Sequence, residues 1–452
     1  MNLSWRERGA LAVYGLLMGA LQPLLRRKLQ RRGQQEPGYL HQVPQRFGVY
    51  DTPVKAGAVW VHAVSLGETR AAALLVHALR QHMPGMRLLL THSTATGWAQ
   101  GQALLQPGDV QAWLPWDTPE ATRRFLQRHQ PHCGVLMETE VWPSLVQACR
   151  IHGVPLFLAN ARLNDKSFHS AQRWSWLSGP AYRGLRGVLA QSNADAKRLR
   201  ALGARVDAVL GNLKFDVQPQ PVAQANAQRW RSQWSRLGQP RPVIMLASTR
   251  EGEEALWLEA LAANAARMQA FADAGVLWLL VPRHPQRFDE VHQQVVAKGC
   301  SVFRRSALPA DGAWPAQATD AQVWLGDSLG EMPQYFHAAD MALLGGSFMP
   351  LGGQNLIEAA AFGCPIIMGP HTFNFAEASE QAQSAGAAQR VADMDGALNQ
   401  ALAWLSDRAA LAQAQQAGLD MVAQGRGAAD RYAQEIVRQL SDSQVGGLSH
   451  GA

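Results

Sequence analysis

The strongest constraint on this chain is a rhythm. Apolar runs of three to six residues alternate with helix-patterned segments. They fall first at residues 59–64, 87–91, 134–137, 155–159 and 188–191, then again at 243–247, 276–281, 323–325, 341–344 and 365–368. Short apolar runs separated by helices indicate strands joined in βαβ units, hence parallel sheets. At 452 residues the chain is too long for one ordinary core, and the pattern breaks once, at "VQPQPVAQANAQ" from Val217, a Pro/Gln-rich stretch that reads as a linker. The expected organisation is therefore an N-terminal segment (1–32), a first doubly wound α/β domain (33–220), a second (221–440), and a polar, Gly-rich, disordered tail (441–452). In such sheets ligands bind beyond the carboxyl ends of the strands, and two of them facing each other form an interdomain cleft.

The first segment has its own chemistry. "GALAVYGLLMGALQPLL" (9–25) carries no charge and is followed at once by "RRKLQRR" (26–32). It is at the short limit for crossing a bilayer of about 30 Å. The basic block lies on the wrong side for a signal peptide and would keep the body of the protein cytoplasmic. The expectation is a membrane-anchor helix that spans the bilayer or lies on it, with the cations at anionic lipid head groups. A net charge of +7 agrees with an anionic partner. The cysteines (Cys133, Cys149, Cys300, Cys364) have no metal or redox spacing, which predicts a reduced compartment and no zinc site.

Chemistry belongs in the polar words that follow strand candidates: "SLGE" (65–68), "THSTATGW" (91–98), "METEVWPSL" (137–145), "ASTREGEE" (247–254), "VPRHPQRF" (281–288), "GDSLGEMPQYF" (326–336), "LLGGSFMPLGGQNLIEAA" (343–360) and "MGPHTFNF" (368–375). The stretch around Ser347 is the most specific. Gly345, Gly346, Gly352 and Gly353 bracket a loop leading to a helix expected to start near Gln354 or Asn355. Such a turn lets backbone N–H groups meet a phosphate, and Glu358 in the first turn suits ribose hydroxyls. No P-loop, G-x-G-x-x-G, nucleophile elbow or Asp-x-Asp metal site occurs. Glu68 has two physical readings: an acid at a helix start, ionised by the dipole at some cost in basicity, or a base at a strand-to-helix turn. Its tetrapeptide recurs at 328–331, but the flanks differ, so the recurrence is coincidence. Glu138 and Glu140 alternate after a strand end, so one of them should face the cleft. Lys214 reads as a surface lysine or as one pointing into the interdomain gap.

Taken together, "LQPLLRRK", "VWVHAVSLGETRAA", "METEVWP", "NARLNDKS", "GNLKFD", "VPRHPQRF", "GGQNLIEAAAFG" and "GPHTFNF" resemble the Kdo (3-deoxy-D-manno-octulosonic acid) transferases of Gram-negative lipid A–core assembly. The resemblance covers nearly the whole chain. It implies the GT-B fold, two Rossmann-like domains facing a cleft. It implies metal-independent, inverting transfer of Kdo from CMP-Kdo to a hydroxyl of a phosphorylated lipid A precursor, with no cofactor, at the cytoplasmic face of the inner membrane. By motif, Glu68 is the general base, and Glu140 and Lys214 are positions that stabilise the transition state. CMP falls to Arg283, His284, Gly330, Glu331, Met332, Asn355, Leu356, Ile357 and Glu358, with Gly345, Gly346 and Ser347 close to its phosphate. Nothing carries over to residues 304–320 or to Gln354. Two alternatives stay open: another GT-B enzyme with a different nucleotide-sugar donor, and a non-catalytic nucleotide- or lipid-binding protein. A nucleic-acid role lacks basic residues interleaved with aromatics.

Overall fold

The computed structural model describes residues 3–51, 54–217, 220–235, 239–309 and 314–448. The chain forms two compact units, Met1–Asp216 with Gly427–Ala452, and Val217–Arg426. Each holds one seven-stranded sheet in which every pairing is parallel.

The first sheet contains β1 (Val59–His62), β2 (Leu88–His92), β3 (Val110–Trp113), β4 (Cys133–Met137), β5 (Leu156–Ala161), β6 (Gly187–Ala190) and β7 (Val206–Val209), in the order β3-β2-β1-β4-β5-β6-β7. The chain direction across the sheet reverses between β1 and β4, which makes that pair the topological switch point. Alternation along β1 divides the core. Trp60 packs with Phe125 and Leu136 on one face, while Val59 and Val61 pack with Leu88 and Val135 on the other.

The second face is closed by the last helix, Ala428–Leu448, through Tyr432, Ala433, Ile436 and Leu440. Burying side chains such as Tyr432 and Ile436 stabilises the fold by about 1.5–3 kcal/mol each. This corrects two expectations. The stretch 427–440 belongs to the first unit, not the second, and 441–448 is helix rather than disordered tail; residues 449–452 lie outside the described residues. Asp216, the last residue before the chain leaves this unit, accepts the N–H groups of Gly427 and Ala429 where it returns.

The second sheet contains β8 (Val243–Thr249), β9 (Leu277–Pro282), β10 (Val302–Arg304), β11 (Val323–Leu325), β12 (Met341–Leu344), β13 (Ile366–Met368) and β14 (Ala388–Arg390), in the order β10-β11-β9-β8-β12-β13-β14. Its switch point is the β8/β12 pair. The expected linker is largely helical: Pro221–Gln233 begins with the proline and buries Ala227 and Trp230, and Asn226 bonds Gln334 of the helix Met332–Ala338. Gln218 and Pro219 lie outside the described residues.

The N-terminal segment is not one helix. Trp5–Ala20 and Gln22–Gln35 meet at a 49° bend. The cause is Pro23, which lacks an N–H to continue the ladder. Among the described residues no single helix is long and apolar enough to cross a membrane, although the bent pair together has the length and composition. The first helix lies on its own unit. Gly15 is buried where an added Cβ would come within 2.7 Å of Pro119, and Glu7 pairs with Arg183. Its other side is bare: Leu16 is 75% exposed, and Val13 and Leu17 are also exposed, as is Leu24 in the second helix.

Candidate active site

In the first unit the carboxyl ends of β1 and β4 gather charge. Ser65 caps the helix Leu66–His82, and Glu68 stands in its first turn. The Glu68 carboxylate accepts from the Val64 N–H (3.0 Å) and from Ser65 Oγ (3.1 Å), so it is folded back onto the strand end. The word "THSTATGW" holds that turn from below: Thr94 Oγ1 donates to the Val64 carbonyl (2.8 Å), and His92 Nδ1 donates to the Ala63 carbonyl (2.9 Å).

Burial raises the Glu68 carboxyl first of all. The carboxylate of Glu138 raises it further, the Val64 and Ser65 bonds work against this, and Glu140 adds to the rise; the result is about 7. The expectation that the helix start keeps Glu68 readily ionised is therefore overturned, because dehydration and neighbouring negative charge outweigh the first-turn bonds.

The alternation used to choose between Glu138 and Glu140 does not hold in the backbone. Alternation assumes extended backbone, but Glu138 has φ +57, a left-handed conformation that costs a non-glycine residue energy and concentrates at functional positions. Both carboxylates consequently act on Glu68. Glu138 is 2% exposed and its two oxygens are taken by Lys214 Nζ (2.9 Å) and Arg162 Nε (2.6 Å). Burial works to raise the Glu138 carboxyl, but the two cations outweigh it and hold it below the usual range. Glu140 accepts from Trp142 Nε1 (2.7 Å), and burial pushes its carboxyl up. Lys214 is thus neither a surface lysine nor a lone cation: it is bonded to the glutamate that sequence reasoning passed over. Arg162 was missed as well. Its only signal was its place in "NARLNDKS" after a strand.

In the second unit the switch point is built of backbone. Ser248 at the end of β8 has φ +58. Gly345, after β12, donates its N–H to the Ala247 carbonyl, and a Cβ on Gly345 would stand 2.2 Å from the Ser248 carbonyl oxygen. The close approach that demands glycine is therefore between two strand ends. Several of the loop's amides are taken internally rather than left for a phosphate. Glu253, itself buried, accepts from the N–H groups of Gly346 (2.7 Å), Phe348 (3.0 Å) and Arg250 (2.8 Å). Ser347 is fully buried, and its Oγ accepts from the Gly369 N–H (2.9 Å). The two glycine pairs are tied to each other by the Gly353 N–H on the Gly346 carbonyl (2.7 Å).

The next residue, Glu254, takes the guanidinium of Arg287 on both oxygens (3.0 and 2.9 Å) together with Thr249 Oγ1 (2.6 Å). One helix start thus fixes both the glycine loop and the "RHPQR" turn. On that turn Arg283 is exposed and His284 half-buried; burial and the neighbouring Arg250 and Arg283 lower the His284 pKa.

Gly330 has φ +82 with open space where a Cβ would go, and Met332 starts a short helix. The Glu331 carboxylate is bonded to Arg305 (2.7 Å), so the 304–320 stretch left without a role supplies its partner. Leu356 and Ile357 are core side chains, and the helix begins at Ile357, later than expected, with Asn355 Oδ1 accepting the Ile357 N–H (3.2 Å). Glu358 is half-buried in its first turn. Among the described residues no group of three or more His, Cys, Asp or Glu side chains is arranged to hold a metal ion.

A family model described as 3-deoxy-D-manno-octulosonic-acid transferase (kdotransferase) matches residues 41–217. The chain is 48% identical over 410 residues to the 3-deoxy-D-manno-octulosonic acid transferase of Bordetella pertussis, covering 88% of this chain and 92% of the relative. It is 31% identical to that of Haemophilus influenzae, covering 92% and 96%. Among solved structures it is similar to HepE of Anabaena in complex with UDP (16% identity, TM-score 0.56, 85% of this chain and 100% of that one). It is also similar to a putative UDP-N-acetylglucosamine 2-epimerase of Listeria monocytogenes (13%, TM-score 0.57, 86% and 98%). The structural likenesses establish the GT-B fold, and the sequence identities establish that the chain belongs to the 3-deoxy-D-manno-octulosonic acid transferase family.

Proposed function

We propose that this protein transfers Kdo from CMP-Kdo to a hydroxyl of a phosphorylated lipid A precursor, with inversion, without a metal, and with Glu68 as general base. The observation that carries the reading is Glu68 itself: a carboxyl at the switch point of its sheet, bonded in place, with a proton affinity near neutrality. A base works best when its pKa lies near the working pH. Inversion needs one such base, because the acceptor attacks opposite the leaving group. Lys214 and Glu140 stand beside it to stabilise charge as it develops. Nucleotide binding falls to Arg283, His284, Gly330, Glu331, Met332, Asn355 and Glu358, and to the main chain of Leu356 and Ile357. Gly345, Gly346 and Ser347 form the scaffold beneath them.

The bent N-terminal pair supports attachment in the plane of the inner membrane's cytoplasmic face. One side of its first helix is spent on the protein body, and the opposite side exposes leucines next to the basic block at 26–32. Kdo incorporation into a lipid A precursor from CMP-Kdo, set beside the same assay with UDP-sugars, tests the reading. Transfer from CMP-Kdo alone is expected. Transfer from a UDP-sugar, or calorimetric preference for UDP over CMP, would replace it with another GT-B activity, and no transfer at all with a binding protein.

A further inference from the structure

Arg162 has no part in the scheme above, yet it is held as if it had one. It follows β5, and Glu138 Oε2 takes its Nε at 2.6 Å while the other oxygen of the same buried carboxylate takes Lys214. One anion, 3% exposed at its side chain, thereby orients two cations from different parts of the unit. The two differ in access: the Lys214 side chain is 18% exposed and that of Arg162 is 40% exposed. Among the described residues the terminal nitrogens of Arg162 have no hydrogen-bond partner; its bond to Glu138 is through Nε. Glu68 and Asp195 lie close enough to act on its charge. A guanidinium bonded through Nε to a buried carboxylate is restrained in orientation, which leaves its outer edge directed away from Glu138. That planar, doubly donating edge matches the paired oxygens of a carboxylate or phosphate.

We infer that Arg162 is a substrate-binding residue that grips a paired oxyanion, with Glu138 as the positioning residue that aims it. The inference rests on the proposed transfer reaction, whose substrates offer two such groups: the carboxylate of the acidic sugar and the phosphate of the lipid acceptor.

Steady-state kinetics of the full chain with Arg162→Lys and Arg162→Gln test it, with CMP calorimetry and thermal melting confirming each fold. Arg162→Lys keeps the charge and loses the fork, so it decides the matter if Arg162→Gln does not fold. The expected result is a KM raised about tenfold to a hundredfold for the substrate carrying the anion, with a smaller change in kcat and partial recovery of Arg162→Gln by added guanidinium. A raised KM for CMP-Kdo identifies the sugar carboxylate. A raised KM for acceptor, together with lost discrimination between phosphorylated and dephosphorylated acceptor, identifies the phosphate. KM values within twofold of wild type for both substrates overturn the inference, as does a loss confined to kcat. Failure of the underlying reading shows separately, as a wild-type enzyme that transfers no Kdo.

Discussion

The two units share a scaffold and use it in opposite ways. Each is a parallel seven-stranded sheet with a switch point and a strained residue near it, Glu138 in one and Ser248 in the other. At the first switch point the strained residue carries a charged side chain, and Glu68, Glu138, Glu140, Lys214 and Arg162 form one coupled network. At the second the carboxylates face inward: Glu253 and Glu254 spend themselves on three amides and one guanidinium, and they hold a loop. The first region stores reactive charge under partial burial. The second has its polar groups satisfied internally, which makes a rigid seat. Buried carboxylates therefore do not by themselves mark chemistry; what their oxygens touch decides it.

This contrast can be broken in order of expected effect. Glu68→Gln keeps the shape and removes the base, so transfer should fall about a hundredfold to ten-thousandfold while CMP binding by calorimetry stays normal. Near-normal turnover would return Glu68 to a mere helix-start residue. Glu253→Ala should behave the other way. Three N–H groups, one buried and two part-buried, lose their acceptor, costing about 3 kcal/mol, visible as a lower urea midpoint and weakened CMP binding. A variant of unchanged stability would mean the glycine loop needs no brace.

Glu138→Gln should move the acid limb of kcat/KM to lower pH. Base catalysis needs ionised Glu68, whose pKa near 7 is raised by burial and then by the negative charges of Glu138 and Glu140, with the cations Lys214 and Arg162 nearby. Removing one anion lowers that pKa, and the loosened Lys214 and Arg162 should cost about tenfold on the plateau. A limb that moves upward contradicts the charge network. The smallest effect expected is none: a chelator with purified CMP-Kdo should leave transfer unchanged, and loss restored by a divalent ion would show a metal in the reaction.

The strands that escaped the sequence pattern are instructive. β3, β7, β10 and β14 are the four edge strands of the two sheets. An interior strand lies under helices on both faces and must be uniformly apolar. An edge strand such as "VDAV" or "AQR" is only partly buried and carries no such run. The same logic separates the site residues. Glu68 was legible because a strand-to-helix turn is a local feature. Glu138 was not, since a left-handed residue breaks the alternation used to choose between it and Glu140. Nor was Glu253, whose partner Gly346 lies 93 residues away.

What the sequence determined by itself is what periodicity and local turn chemistry determine: two parallel-sheet halves, their interior strands, and an acid at the end of the first strand. Tertiary structure decided what depends on long-range partners. It returned the last helix to the first unit to cover an apolar sheet face, closed the glycine loop on Glu253 instead of leaving it open, and dehydrated Glu68 among other carboxylates. The reason is physical. Hydrophobic patterning repeats within a few residues, whereas hydrogen-bond partners and the dielectric around a charge are set only when distant segments meet.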